Sequence, residues 1–350
     1  MLKSDQLIKK TPLYPLRFEP IYKNYIWGGI RLRTLFQRQL PESLETAAES
    51  WEIADLPDNS SIVSNGVLRG YLLHDLMEFR LVDLMGTEWT ESMINTNQNV
   101  TPKLRFPMLL KYLDAASTLS IQIHPTDKLA AEMRLEYSGK SETWVIIDAE
   151  PNSVVWAGTE DNYSQEQLQQ LIIKGGIETA MKPIKVKVGD CFYIPPGTLH
   201  SLGAGVLAAE LQQPSNATFR VFDWNRHDWN GVPRQLHKIE AAQALLTQKT
   251  NNPVTPQKTN MPICELLVND PNFLLYRWTF DQPVTLELDD SCSIWTVFNG
   301  NVKIGQETLK QGDSILIPAA QKIITWFPIN NPNIKNNTIV LGQGKTVIHK

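Results

Sequence analysis

"GDCFYIPPGTLH", residues 189–200, decides how this chain is read. A Gly-Asp pair leads into a short apolar run, Cys191 to Ile194, which breaks at Pro195-Pro196-Gly197 and resumes at Thr198, Leu199 and His200. An apolar run bounded by such residues reads as a buried strand entering a tight turn. A second copy lies downstream. "GDSILIPAAQKI", residues 312–323, aligns without a gap, placing Gly312 on Gly189, Asp313 on Asp190 and Pro318 on Pro195. Self-similarity of this kind implies one β-unit used twice. The differences separate the copies: Ala320 replaces Gly197 and Ile323 replaces His200, so only the first copy keeps a polar group after the turn.

Around the first copy, from about 105 to 225, short apolar or alternating runs are separated by Gly, Pro and Asn, the pattern of an antiparallel sandwich or barrel. In "SIQIHP" (120–125), Ser120, Gln122 and His124 point to one face of a strand, while Leu119, Ile121 and Ile123 point to the other, into a core. "GKSETW" (139–144) sets Lys140 and Glu142 on one face by the same period. Three helices are expected. "YSQEQLQQLIIKGG" (163–176) has Ser164 as N-cap, Gln167 as its capping-box partner and Gly175 as stop. "RQLHKIEAAQALL" (234–246) is the second. In "GYLLHDLMEFRLVDLMG" (70–86), Leu72, Leu73, Leu76, Phe79 and Val82 recur at helical spacing up to Gly86, with His74 at the helix margin. "NNPVTPQKTNMP" (251–262) reads as a linker.

The 350 residues suffice for two domains, and 42% hydrophobic with 20% charged residues is the balance of an ordinary globular protein. A net charge of −4 without a basic run excludes a nucleic-acid surface. Cys191, Cys264 and Cys292 are odd in number and form no C-x-x-C, which argues against a disulfide framework or thiolate zinc site and favours a reducing compartment. The first twenty residues hold no signal-peptide core, and the chain holds no run of about 18 apolar residues. A cytoplasmic protein with no membrane partner is expected.

Residues 189–200 fit G-x5-P-x-G-x2-H, the second sequence motif of cupins, in which the turn aims His200 into a barrel mouth. With Gln122, His124 and Glu142 it completes a neutral oxygen, two imidazoles and a carboxylate, a donor set suited to zinc, manganese, cobalt, iron or nickel. Taken singly, these residues have blander readings. A lone buried histidine usually pairs with backbone, Gln122 could satisfy its neighbours, and Lys111 and Lys140 fit solvent-facing strand positions. The aromatic residues, Trp27, Trp51 and Trp144 among them, read chiefly as packing.

Five stretches together resemble the type I mannose-6-phosphate isomerases of the cupin superfamily: "YKNYIWGG" (22–29), "PMLLKYLDAASTLSIQIHPTDKLA" (107–130), "GKSETW", "IPPGTLHSLGAG" (194–205) and "ELQQPSNATFRVFDWNR" (210–226). The resemblance implies a mainly β fold of two cupin (jelly-roll) β-barrel domains, 1–250 catalytic and 251–350 metal-free, with a helical elaboration at about 30–100 on the N-terminal half. It implies one divalent metal ion, zinc first, on Gln122, His124, Glu142 and His200. Arg220, Lys140 and Glu210 become catalytic, and Lys111 and Ser120 bind substrate on the phosphate side. The implied reaction interconverts mannose 6-phosphate and fructose 6-phosphate through a cis-enediolate, in a monomer or homodimer. One departure is Asn216, where the family usually has aspartate. The same ligands would also serve a glucose-6-phosphate isomerase, a cupin oxygenase, or a sugar-phosphate-binding protein without turnover.

Overall fold

The computed structural model describes residues 5–96, 104–246, 249–329 and 338–343, and the fold is mainly β. The chain divides into two compact units. One joins Ile21–Trp51 to Met108–Val254; the other joins Met1–Pro20, Glu52–Pro107 and Thr255–Lys350. This grouping differs from a division into 1–250 and 251–350, because the helical segment packs with the C-terminal strands. Leu16 and Leu316 exchange backbone hydrogen bonds at 2.8 and 2.9 Å, and Ala319 N donates to Leu84 O at 3.0 Å. Partners more than 200 residues apart leave no mark on local sequence pattern.

In the first unit, a six-stranded sheet runs in the order Cys191–Ile194, Glu142–Ala149, Val206–Gln212, Leu109–Ala115, Glu49–Ile53, Ile21–Lys23. A five-stranded sheet runs Ile184–Lys185, Val154–Ala157, His200–Leu202, Ile121–Ile123, Phe219–Phe222. Trp144, Ile146 and Phe192 from the six-stranded sheet share a core with Val155, Ala157 and Leu202 from the five-stranded one. On the other side, Ile121, Ile123, Phe219 and Val221 pack with Leu168, Ile172, Ala241 and Ala244 of two helices, Gln165–Lys174 and Lys238–Ala244. Strand alternation therefore turns Gln122 and Arg220 away from the helices. Leu119 departs from the expected parity: the ladder begins only at Ile121, and Leu119 joins the core shared by the sheets.

Helix Gln165–Lys174 carries its expected capping box, with Ser164 and Gln167 bonding reciprocally, and stops at Gly175. Residues 70–86 form two helices rather than one, Leu73–Phe79 and Leu81–Met85. The break falls at Arg80, φ −136°, whose guanidinium bonds Ile8 O, Thr11 O and the Asp83 carboxylate. Satisfying those carbonyls outweighs one more turn of helix.

The second unit holds a six-stranded and a four-stranded sheet around a core that includes Trp278, Trp295 and Trp326. The sequence repeat is also a repeat of backbone geometry. Gly189 and Gly312 both take positive φ, 90° and 86°. The Asp190 carboxylate accepts from Lys187 N at 2.9 Å, and that of Asp313 from Lys310 N at 3.0 Å. Strand Cys191–Ile194 pairs with 142–145 and strand Ser314–Ile317 with 293–296. Beyond the proline the copies part. Ile323, aligned on buried His200, is 62% exposed, whereas Ile324 and Trp326 face the core. A slip of one residue moves every side chain to the other face. Among the described residues no helix is long and apolar enough to cross a membrane, and all three cysteines are free and buried.

Candidate metal centre

His124, Glu142 and His200 come together from the end of one strand and the first residues of two others. His124 follows strand Ile121–Ile123, where Pro125 ends the ladder and Thr126 caps the next helix through Leu129 N. Its carbonyl accepts from Gly197 N at 2.8 Å, which ties the Pro-Pro-Gly turn to it. Gly197 has φ +80°, and a Cβ there would stand 2.6 Å from Leu246 Cγ, so the turn requires glycine. His200 opens the strand after that turn, in register with Gln122. Glu142 opens its own strand opposite Ile194 and Gln212.

One ligand atom from each of the three lies within 4.8 Å of the others. Glu142 Oε2 is 3.2 Å from His124 Nε2, and Oε1 is 3.3 Å from His200 Nε2. Backbone carbonyls fix the tautomers: His124 Nδ1 donates to Ala217 O and His200 Nδ1 to Thr198 O, each at 2.9 Å. Both Nε2 lone pairs are thereby left facing the carboxylate. Neither Glu142 oxygen has a hydrogen bond of acceptable geometry, although all three residues are buried. A buried carboxylate beside two imidazole lone pairs, its Oε2 already 2.6 Å from the Lys140 ammonium, is a donor set that fits a divalent cation. Gln122 lies beside this set, its amide nitrogen 3.2 Å from His200 Nε2. Rotating the amide by half a turn would present its oxygen instead.

Burial, reinforced by the Lys140 charge, pulls the His124 imidazole down to about 3. Burial also lowers His200. Burial would raise Glu142, but Lys140, His124 and His200 outweigh it and hold the carboxyl well below its usual range. Two neutral imidazoles and an ionised carboxylate are the protonation states that metal ligation needs.

From Glu142 a string of alternating buried charges leads away. Lys140 Nζ is 2.6 Å from Glu142 Oε2, 3.2 Å from His124 Nε2 and 3.6 Å from Glu210 Oε1. Lys111 Nζ stands 3.0 Å from Glu210 Oε1 and 3.5 Å from Glu49 Oε2. Burial alone would lower Lys111, but Glu210 and Glu49 raise it above the ordinary lysine value. Trp144 Nε1 donates to Glu210 at 2.8 Å and Trp51 Nε1 to Glu49 at 2.6 Å.

Of the residues singled out in sequence, Lys111, Lys140 and Glu210 join this string and Ser120 is buried nearby in the chain. Arg220 pairs with Gln122 in register, but its Nη1 donates to Gln235 O at 2.9 Å and its buried Nε has no partner. Asn216 is exposed, and its neighbour Ala217 supplies the carbonyl that orients His124. Sequence reasoning missed Glu49 as part of the site. The alternation of Glu49 with Trp51 in "AESWE" was its only local signal.

Residues 16–166 match the family model described as phosphomannose isomerase type I, catalytic domain. A mannose-6-phosphate isomerase of Streptococcus mutans is 34% identical over 310 residues, covering 87% of this chain and 92% of that one. A crystal structure of the mannose 6-phosphate isomerase of Bacillus subtilis superposes with a TM-score of 0.80 at 30% identity, covering 95% of this chain and 100% of that one. A phosphomannose isomerase from Salmonella typhimurium, 15% identical over 95% of this chain and all of that one, shares the fold with a TM-score of 0.72. With identity of this extent along nearly the whole length, the chain belongs to the type I phosphomannose isomerase family.

Proposed function

We infer that the protein is a metal-dependent aldose-ketose isomerase that interconverts mannose 6-phosphate and fructose 6-phosphate in the cytoplasm, using zinc on His124, Glu142, His200 and Gln122. The observation that carries this reading is the convergence of two imidazole Nε2 atoms on the one buried carboxylate of Glu142. Each unit is then a jelly-roll barrel of the cupin type, and only the first retains the donor set.

The reaction moves one proton between C1 and C2 of the open-chain sugar, by way of a cis-enediolate that carries developing negative charge. When bound, the ion would supply Lewis acidity at the sugar's oxygens. Lys140 contributes fixed positive charge beside the ligands, and Arg220 adds a forked donor from the neighbouring strand. Glu210 and Lys140, 3.6 Å apart, are this chain's own candidates to carry the proton. Lys111 brings one positive charge against the two carboxylates of Glu49 and Glu210. That makes it a weak anchor for a phosphate dianion but a strong holder of Glu210, the role we give it. Ser120 remains a substrate-side residue.

The test is a coupled assay for fructose 6-phosphate formation before and after chelation, with zinc, manganese, cobalt or nickel then restored. Turnover lost to the chelator and regained with an ion supports the reading. Substrate binding without turnover under every ion would leave a sugar-phosphate binder.

A further inference from the structure

The segment from Asp223 to His237 leaves the end of strand Phe219–Phe222 and comes back to the residue on which that strand is centred. Its two arms meet at an antiparallel bridge between His227 and Pro233 and, at the neck nearer the strand, on one carboxylate. Asp223, 6% exposed, accepts Arg226 Nη2 on Oδ1 at 2.7 Å and Arg234 Nε on Oδ2 at 2.7 Å, and Arg234 Nη2 also reaches Oδ1. Arg226 and Arg234, eight positions apart, are thus pinned to one point.

The turn that starts the excursion is strained. Trp224 and Asn225 both have φ +55°, and Arg226 N donates to Asp223 O at 3.0 Å, a type I′ arrangement built without glycine. A bulky residue in the left-handed region is uncommon, and such strain persists only where the surroundings over-determine it. Here Trp224 Nε1 is held by Leu119 O at 2.7 Å and the Asp223 carboxylate closes the far side.

What the closed neck delivers is a grip on Arg220. His237 N donates to Arg220 O at 2.8 Å, Arg220 N donates to His237 Nδ1 at 3.2 Å, and Arg220 Nη1 donates to Gln235 O at 2.9 Å. Gln235 directly follows Arg234, so the carbonyl that holds the guanidinium lies one residue from the clamp. Among the described residues Gln235 O is the side-chain partner of Arg220, and Nε is buried without one. A guanidinium tethered at one point is aimed by whatever fixes that point.

We propose that Asp223 is a positioning residue: by binding Arg226 and Arg234 it closes the neck of the 223–237 loop and, through Gln235, sets the direction of the Arg220 guanidinium during isomerisation. This rests on the catalytic reading of Arg220 given above. A shift on the order of 1 Å at such a group can lower turnover by about a hundredfold.

The experiment is a double-mutant cycle on the metal-loaded enzyme with Asp223→Asn, Arg234→Lys and Arg220→Ala, following kcat, KM, metal content and melting temperature. Asp223→Asn keeps the shape and loses the charge; Arg234→Lys keeps the charge and loses the two-point grip. Each is expected to lower kcat about tenfold or more with KM within about threefold and metal content unchanged, and in the Arg220→Ala background each changes kcat less than about twofold. An equal loss in both backgrounds, or full kcat in the single variants, overturns the proposal. If Asp223→Asn does not fold, Arg234→Lys carries the cycle alone. Full kcat in Arg220→Ala overturns the catalytic reading of Arg220, and this proposal with it.

Discussion

Glu142 and Ser293 occupy the same register position in the two halves of the chain. Glu142 pairs with Ile194 and Ser293 with Ile317, and Ile194 and Ile317 are themselves equivalent in the repeat. Glu142 meets two imidazoles and an ammonium, whereas the Ser293 hydroxyl accepts the Trp295 indole N–H at 2.8 Å. A buried carboxylate demands cations; a hydroxyl is satisfied by one hydrogen bond. The same backbone therefore holds a buried cluster of ionisable groups in one half and packing in the other.

That pairing gives a matched comparison. Glu142→Gln is expected to lose bound metal and to lower kcat by about a hundredfold or more. Ser293→Ala should leave metal and kcat unchanged and cost about 1 kcal/mol of stability, because a buried indole N–H loses its acceptor. Metal analysis, the isomerase assay and urea denaturation read the three quantities. Similar losses of kcat in both variants would refute the division of roles.

Acid should destabilise the chelated protein. His124 has a folded value of about 3, below that of the unfolded chain, so between about 6.5 and 3 the unfolded state binds more protons and stability falls with falling pH; His200, also lowered, adds loss of the same sign. Glu142, also lowered, adds loss of the same sign below the unfolded carboxyl value. The slope approaches about 1.4 kcal/mol per pH unit for His124. Denaturation midpoints measured from pH 7 to pH 4 check it; a midpoint unchanged between pH 6.5 and 4.5 would contradict the buried neutral imidazoles.

Lys111→Ala leaves Glu49 and Glu210 facing each other without the cation between them. Breaking a buried pair from one side costs about 3–5 kcal/mol. Adding Glu210→Gln removes one of the stranded charges and should recover part of that loss, a coupling visible in a denaturation cycle. Strictly additive effects would mean that the two side chains do not share one network.

Gly28 packs where a side chain has no room: a Cβ would lie 2.6 Å from Ala48 N, which is backbone and cannot swing aside. Gly28→Ala is therefore expected to destabilise by about 1–3 kcal/mol, as overpacked cores do. An unshifted melting temperature would show that the 22–29 segment can move away from residues 47–48 as a unit.

Much of the candidate site was legible in sequence because its signals are local. A period of two placed Gln122 and His124 on one face, Pro195-Pro196-Gly197 announced the turn that aims His200, and Ser164 with Gln167 announced a helix start. Each depends on residues within one strand or one turn, where backbone geometry alone dictates direction.

Only the tertiary structure decided which of these side chains meet, and where local pattern gives way. Glu49 reaches Lys111 across 62 positions, Arg80 stops a helix to satisfy carbonyls near residue 10, and Asp223 closes a loop on Arg220. Ile324 rather than Ile323 faces the second core, because the two copies differ by one residue of register after the turn. Turns and strand alternation are fixed by the steric limits of neighbouring residues, so the sequence determined them by itself. Charge pairing, register beyond a turn and the grouping of segments depend on contacts between distant residues, whose energies exist only once the chain has folded.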